Sequence, residues 1–492
     1  MLIRAAVLAF LVLPHAHCVA SDFETLAKDL PAGSNAVLAI DVDSILTTEM
    51  ARVNDWGNPN TTANRPAYLP PEADKVIVAA QVDPPNQFEQ AWEAAVISLK
   101  ESLPMRLVAK AEGGYVDKIR GKEAAWVPSD AYFIQFDDAT MGLMYPANKQ
   151  AASRWIDQQQ ESSPELPAYL SSMVSAVTSG PQIVMSLDTR DVMSAHRLHQ
   201  RLSESEVVAD AKLDIDAMVD LFLTLQQISL EVTISDKAEA RAEIQFGHSV
   251  TFDADVGKAF VLAALTNLEA EIPGVDEWTF SVHGQSIVAV GEMPVPGLRR
   301  VLSFLEIPTT KFSSLKNEDT DSEGSEEDLA TKSLNYFHSV DKLVADLQEH
   351  SKSRNGDSYW FDRYAKKIER LPILYVDPDL LDFGQKTAET LRVMSGSRKS
   401  ANLSAGVSRS NISASSGDGY DGGYDRYGYS YHGSGYRGSS TSLASAQQRS
   451  QNAANNQFQA KATSKKIEGF RLINDATYEV RRTMTERYNV EF

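Results

Sequence analysis

The sequence predicts an α+β protein: two related sheet-and-helix units, an internal duplication, followed by a helical, hairpin-like C-terminal region with a disordered insert. Three observations lead there. A short apolar run ending in aspartate occurs twice. A second pair of runs repeats at nearly the same offset. Beyond residue 333 the apolar period changes from that of strands to that of helices.

The first repeat sets Ala36-Val37-Leu38-Ala39-Ile40-Asp41 against Ile183-Val184-Met185-Ser186-Leu187-Asp188, an offset of 147 (188 − 41). The second sets Tyr132–Phe136 against Trp278–Val282, an offset of 146 (278 − 132). Each of these is followed by a turn (Asp137-Asp138, His283-Gly284), a further run (Met141–Met144, Ile287–Val290) and a helix candidate (Asn148–Gln158, Leu298–Leu305). Agreement between two distant patches in offset and order is what argues for duplication. Between them, Val76–Val82 reads as a strand leading to a helix candidate, Phe88–Leu103. Arg241–Phe246 reads as a strand leading to Asp253–Glu271. The first unit adds a polar hairpin around Tyr115–Val127, and the second adds a helix candidate at Leu213–Gln227; Val192–Leu202 also reads as a helix. A sheet with helices on one face would bury both patterns.

Lys316–Ala330 is dense in Asp and Glu and reads as a solvated linker. Helical periodicity follows in Phe337, Val340, Leu343 or Val344, and Leu347, then in Trp360, Tyr364, Ile368 and Leu371. Asp377-Pro378 starts a third helix, with proline at its first position. From Ser395 to Ser445 the composition falls to Ser, Gly and Tyr. Its centre, Gly417–Gly438, holds Tyr420, Tyr424, Tyr427, Tyr429, Tyr431 and Tyr436 and has no apolar period. A last helix carries Ile467, Phe470, Ile473, Val480, Met484 and Tyr488 at near-heptad spacing, which calls for a packing partner. The division is therefore 1–20, 21–163 and 164–310 for leader and units, 311–332 for the linker, 333–394 for helices, 395–445 for the disordered segment and 446–492 for the final helix.

Met1–Ala20 has Arg4, an apolar run Ala5–Leu13, Pro14, and the small residues of a cleavage site at Cys18-Val19-Ala20. That is the layout of a secretory signal, with cleavage expected between Ala20 and Ser21 and export to the periplasm or beyond. Cys18 is the single cysteine, so the mature chain has no disulfide and no thiolate. The net charge of −20 disfavours nucleic acid and anionic membrane surfaces as partners. No later segment has the apolar length of a membrane span.

Trp360-Phe361-Asp362-Arg363-Tyr364-Ala365, Leu371-Pro372-Ile373-Leu374-Tyr375-Val376-Asp377-Pro378, the Gly/Tyr segment and the ending Tyr488-Asn489-Val490-Glu491-Phe492 form a recognisable string. It resembles the C-terminal region of exported planctomycete proteins of unknown function. The resemblance covers residues 333–492 and implies export and architecture; it brings no catalytic residue, cofactor or substrate.

Few constellations could carry chemistry. His196 and His199 lie three apart on a helix candidate, with Glu204 and Glu206 behind them, but a closed metal site needs three or four ligands. Asp319, Asp321, Glu323 and Gly324 imitate the opening of a calcium loop, with Glu327 at its ninth position; Ala330 stands where the bidentate Glu belongs. Asp41, with Asp43 beside it, and Asp188 end equivalent strands and read as helix caps. The tyrosines could stack on glycans or partner surfaces. Asn60, Asn402 and Asn411 begin glycosylation sequons. There is no Gly-x-Ser-x-Gly elbow, phosphate loop or His-Glu-x-x-His motif. The reading assigns no catalytic, cofactor-binding or metal residue and no cofactor. It favours an exported, non-catalytic scaffold or binding protein of the cell envelope, with a protein or envelope component as partner. The alternative is an extracytoplasmic hydrolase or metal-dependent enzyme with its site between the two units.

Overall fold

The computed structural model describes residues 22–58, 66, 72–84, 89–161, 166–177, 180–268, 270–305, 326–350, 358–371, 373, 375–417 and 440–492; over 398–417 and 440–462 only the backbone is described. The expected leader, Asn60, the acidic residues Asp319–Gly324 and the tyrosines of 418–439 lie outside these ranges.

The first unit runs α1 (Phe23–Lys28), β1 (Ala36–Asp41), α2 (Val42–Leu46), α3 (Glu49–Val53), β2 (Ala73–Asp83), β3 (Glu89–Leu99), α4 (Met105–Glu112), β4 (Tyr115–Ile119), β5 (Lys122–Val127), β6 (Ala131–Gln135), β7 (Thr140–Tyr145) and α5 (Lys149–Glu161). The second runs α6 (Ala168–Ala176), β8 (Ile183–Asp188), α7 (Ala195–Ser203), α8 (Glu206–Asp210), α9 (Ile215–Leu223), β9 (Leu225–Ile234), β10 (Ala238–Phe246), α10 (Ala254–Asn267), β11 (Thr279–His283), β12 (Ser286–Glu292) and α11 (Val295–Leu302). The tail is α12 (Glu326–His350), α13 (Ser358–Glu369), α14 (Pro378–Gly417) and α15 (Ser440–Tyr488).

Both units share one twelve-stranded antiparallel sheet, in the order β11-β12-β10-β9-β8-β1-β2-β3-β7-β6-β5-β4. From the centre outward, β1-β2-β3-β7-β6 on one side answers β8-β9-β10-β12-β11 on the other. The register makes this a two-fold relation. Leu38 pairs with Met185, its own counterpart at the offset of 147, while Ala36 pairs with Leu187 and Ile40 with Ile183. A pseudo-dyad therefore passes through the Leu38–Met185 pair. Farther out, Tyr132 opposes Met144 and Thr279 opposes Val290, which sets Phe133 against Phe280.

The relation reaches single hydrogen bonds. Asn35 donates from Nδ2 to the Val82 carbonyl and accepts from the Val82 N–H, both at 2.8 Å. Gln182, 147 positions on (182 − 35), does the same with Ile234, at 3.1 and 2.7 Å. Across the seam the Asp188 N–H donates to the Asn35 carbonyl, and the Asp41 N–H to the Gln182 carbonyl.

One face of the sheet carries Leu38, Ile40, Val76, Val78, Phe133, Leu143, Val232 and Ala240. Helices α2, α4 and α11 bury it with Ile45, Val108, Leu298 and Val301. The other face carries Val37, Ala39, Ile77, Ala79, Val96 and Ile134, and α1, α5 and α6 cover it with Phe23, Leu26, Trp155, Ile156 and Leu170. The expectation of helices on one face thus gives way to helices on both. That difference explains a second. Within Phe88–Leu103, expected to be a helix, Glu89–Leu99 is strand β3. Because both faces of the first unit are covered, Ala94-Ala95-Val96-Ile97 is buried on every side. The run is then continuous rather than alternating, and periodicity cannot distinguish it from a buried helix. Likewise the helix expected over Leu213–Gln227 ends at Leu223, and β9 starts at Leu225.

The tail packs as four helices around a core of its own. Phe337, Val340, Leu343 and Leu347 of α12 meet Trp360, Tyr364 and Ile368 of α13, Leu380, Phe383 and Leu391 of α14, and Ile473 and Met484 of α15. Helix α14 begins at Pro378, and Asp377 caps it through its Oδ1 to the Asp379 N–H. Three boundaries shift. Helix α12 starts at Glu326, inside the expected linker, because acidic residues suit the positive end of a helix dipole. Helix α14 continues to Gly417 and α15 starts at Ser440, inside the segment expected to be disordered from Ser395 to Ser445. Neither stretch contains proline, and each helix has the other alongside it. Ile467, expected on the packed stripe of α15, is 65% exposed; Gly469 and Phe470 face the neighbouring helices at that level.

Candidate functional site

The expected chemical residues do not converge. His196 and His199 both lie on α7 and both are exposed. His199 Nε2 stands 3.6 Å from Asp216 Oδ1, with the carboxylate 89% exposed. Among the described residues no group of three or more His, Cys, Asp and Glu side chains is placed to hold a metal ion. Asp41 caps α2 by accepting from the Ser44 N–H at 3.0 Å, and burial raises its carboxyl above the usual range. Asp188 does not cap a helix, contrary to expectation. α7 starts only at Ala195, and Asp188 instead accepts from Arg190, at 3.1 Å to Nε, 2.9 Å to Nη2 and 3.0 Å to the N–H. Burial opposes its ionisation, but the hydrogen bonds from Arg190 and Tyr169 outweigh that and hold it low. Arg190 also lies over the Tyr169 ring at 5.0 Å. Asp43 pairs with Lys100 on the surface.

Polar chemistry concentrates instead where α11 meets the tail. α11 is buried on all sides, which forces Arg299 and Arg300 inside at 2% and 1% exposure. Arg299 forms an ion pair with Asp346 of α12. Burial lowers the Arg299 pKa. Arg300 donates to the Glu271 carbonyl at 2.7 Å, and Trp360 Nε1 donates to the same oxygen at 2.8 Å. The Arg300 guanidinium lies 5.5 Å over the Trp360 ring. From α13, Arg363 donates to the Ser303 carbonyl at 2.6 Å and to the Tyr359 hydroxyl at 2.9 Å. Gln90 of β3 donates to the Phe304 carbonyl at 2.5 Å, and Arg370 lies 5.9 Å over the Tyr145 ring of β7. The last turn of α11, which has no further helical partners for its carbonyls, is thus satisfied by side chains from the first unit and from the tail.

A second polar knot ties the two ends of the tail. Asp377, 2% exposed, accepts from Arg487 at 2.5 Å and from the Tyr488 hydroxyl at 2.6 Å, and its N–H donates to Ser333 Oγ at 2.9 Å. Arg487 also reaches Asp379 at 2.6 Å. Phe492 closes the chain against Phe337, with ring centroids 6.0 Å apart.

The string Trp360–Ala365, Leu371–Pro378 and Tyr488–Phe492 therefore supplies the joints of the tail. Sequence reading missed Arg299 and Arg300. The available signal was an adjacent pair of arginines inside an apolar helix pattern, which requires partners once buried. Both junctions hold structure in place; the groups they contain are already engaged with carbonyls, carboxylates and rings.

No family model and no curated protein matches the chain. Among solved structures it is similar to TP0453. Crystal form I gives a TM-score of 0.35 at 12% identity, over 57% of this chain and 97% of that one. Crystal form III gives 0.33 at 11% identity, over 56% and 96%.

Proposed function

We propose that the protein is an exported, non-catalytic scaffold or binding protein of the cell envelope. The twelve-stranded sheet is its rigid base, and α14 and α15 carry the tyrosine-rich segment outward as the binding end. The observation that supports this reading is the pairing of those two helices. Asp377 with Arg487 and Met394 with Gly469 put them antiparallel in one register. From Met394 the backbone helix continues to Gly417, 23 further residues (417 − 394), or about 35 Å at the usual rise. The sheet and the tail core hold one end of this pair, and Gly417–Gly438 joins its other end. Tyrosines there offer flat, amphipathic contacts at small entropic cost.

The test replaces Gly417–Gly438 with a Gly/Ser linker of equal length. Loop closure depends on length more than on composition, so the melting temperature stays within a degree or two of the parent. Co-sedimentation with the envelope fraction falls, because the six tyrosines are gone. Unchanged retention in the envelope would refute the reading. A large drop in melting temperature would show the segment to be part of a core.

A further inference from the structure

The pseudo-dyad makes the outer edges of the two units comparable, and they differ. In the first unit β6 is not an edge: β5 pairs along it, with Ala125 opposite Phe133 and Trp126 opposite Tyr132, and α4 packs beneath that hairpin. In the second unit β11 takes the place of β6. Among the described residues no strand lies beyond it.

The two free edges of the sheet are also unlike. β4 is defended: Asp117 accepts from the Lys118 N–H and from Lys149 Nζ, so charges line that edge. β11 reads Thr279-Phe280-Ser281-Val282-His283, with no Asp, Glu, Lys, Arg or Pro. Beside it lies α10, the counterpart of α4. Residues 259–265 of α10 are seven consecutive apolar residues, which must present apolar surface on more than one side of a helix. None of the seven is fully buried; Gly257 is the one buried residue of α10. An open strand edge and an incompletely covered apolar helix thus sit together, where the first unit has its extra hairpin.

We propose that this edge pairs with the same edge of a second copy of the chain, β11 against β11, antiparallel and centred on Ser281. The sequence is self-complementary in that register. Phe280 comes opposite Val282 on the face shared with α10, and Thr279 opposite His283 on the other, with no like charges opposed. The pairing closes as a two-fold dimer and needs no further copies. It extends the sheet and brings the two α10 helices side by side, so their apolar surfaces leave water together.

The test uses the full chain with Cys18→Ser, which removes its single cysteine. Sedimentation velocity gives a species of about twice the 54.0 kDa chain mass. Ser281→Cys oxidises to a covalent dimer, because opposed positions of an antiparallel pair lie within disulfide reach. Tyr115→Cys on the β4 edge stays monomeric on a denaturing gel. Ser281→Lys, which opposes two ammonium groups, sediments as monomer with its melting temperature unchanged. A parent that is monomeric at its highest soluble concentration overturns the proposal. So does cross-linking through residue 115 rather than 281. A monomer that instead floats with anionic phospholipid vesicles overturns it in favour of a lipid surface for α10.

Discussion

Asp377 shows how much one side chain holds. It sits between α12, α14 and α15; its carboxylate accepts from the Asp379 N–H, Arg487 and the Tyr488 hydroxyl, and its own N–H donates to Ser333 Oγ. Burial pushes its carboxyl up, but Tyr488, Arg487 and the Asp379 N–H outweigh that and leave it below the usual carboxylate range. A carboxyl depressed in the folded state contributes stability that is fully present above its unfolded pKa, about 3.9, and is lost as pH falls through the folded value. Melting temperature measured against pH should therefore fall below about pH 4 more steeply in the parent than in Asp377→Asn. Equal slopes would mean that the knot carries no weight. At this scale the sequence was partly legible. Asp377-Pro378 and Tyr488 stood out as a string, but their meeting depends on α15 returning antiparallel to α14, which no local pattern encodes. Asp41 and Asp188 show the opposite failure. Equivalent positions at equivalent strand ends took different partners, because the chain after Asp188 turns to Arg190 before any helix begins.

The elements that could be read were those whose one-sided burial leaves a period. α12 and α13 match their apolar stripes, and the repeated strands fall at equivalent places in the sheet. β3 could not be read, because coverage of both faces erased its alternation. The equivalent placement of β1 and β8 in the sheet predicts a quantitative equality. Asn35 and Gln182 each clamp the backbone of the adjoining strand with two hydrogen bonds. They lie at opposite ends of the seam, roughly 20 Å apart at the rise of an extended strand. Asn35→Ala and Gln182→Ala should each cost about 1–3 kcal/mol in urea unfolding, and similar amounts. The double variant should give their sum to within about 0.5 kcal/mol, as expected for distant sites. A loss at one site without the other would show that the two clamps are not equivalent.

For the whole molecule, the sequence carried the number of units and the helical tail but not their joining. An offset of 147 says that a unit was repeated; it cannot say whether the copies form two sheets or one. The antiparallel pairing of β1 with β8 decides that, and it needs only the complementarity of two nearly identical apolar runs. The placement of the tail was equally hidden. It depends on α11, whose counterpart α5 covers the opposite face of the sheet. With α11 between sheet and tail, Arg299 and Arg300 became interior and called for Asp346, Glu271 and Trp360.

The β1–β8 seam fuses two units into one sheet, and hydrogen exchange on the full chain tests that fusion most directly. Peptides covering Ala36–Asp41 and Ile183–Asp188 should rank together among the slowest to exchange, because both strands are interior and paired on both sides. Should both strands exchange as fast as the edge strands β4 and β11, the seam does not exist and the two units are separate sheets.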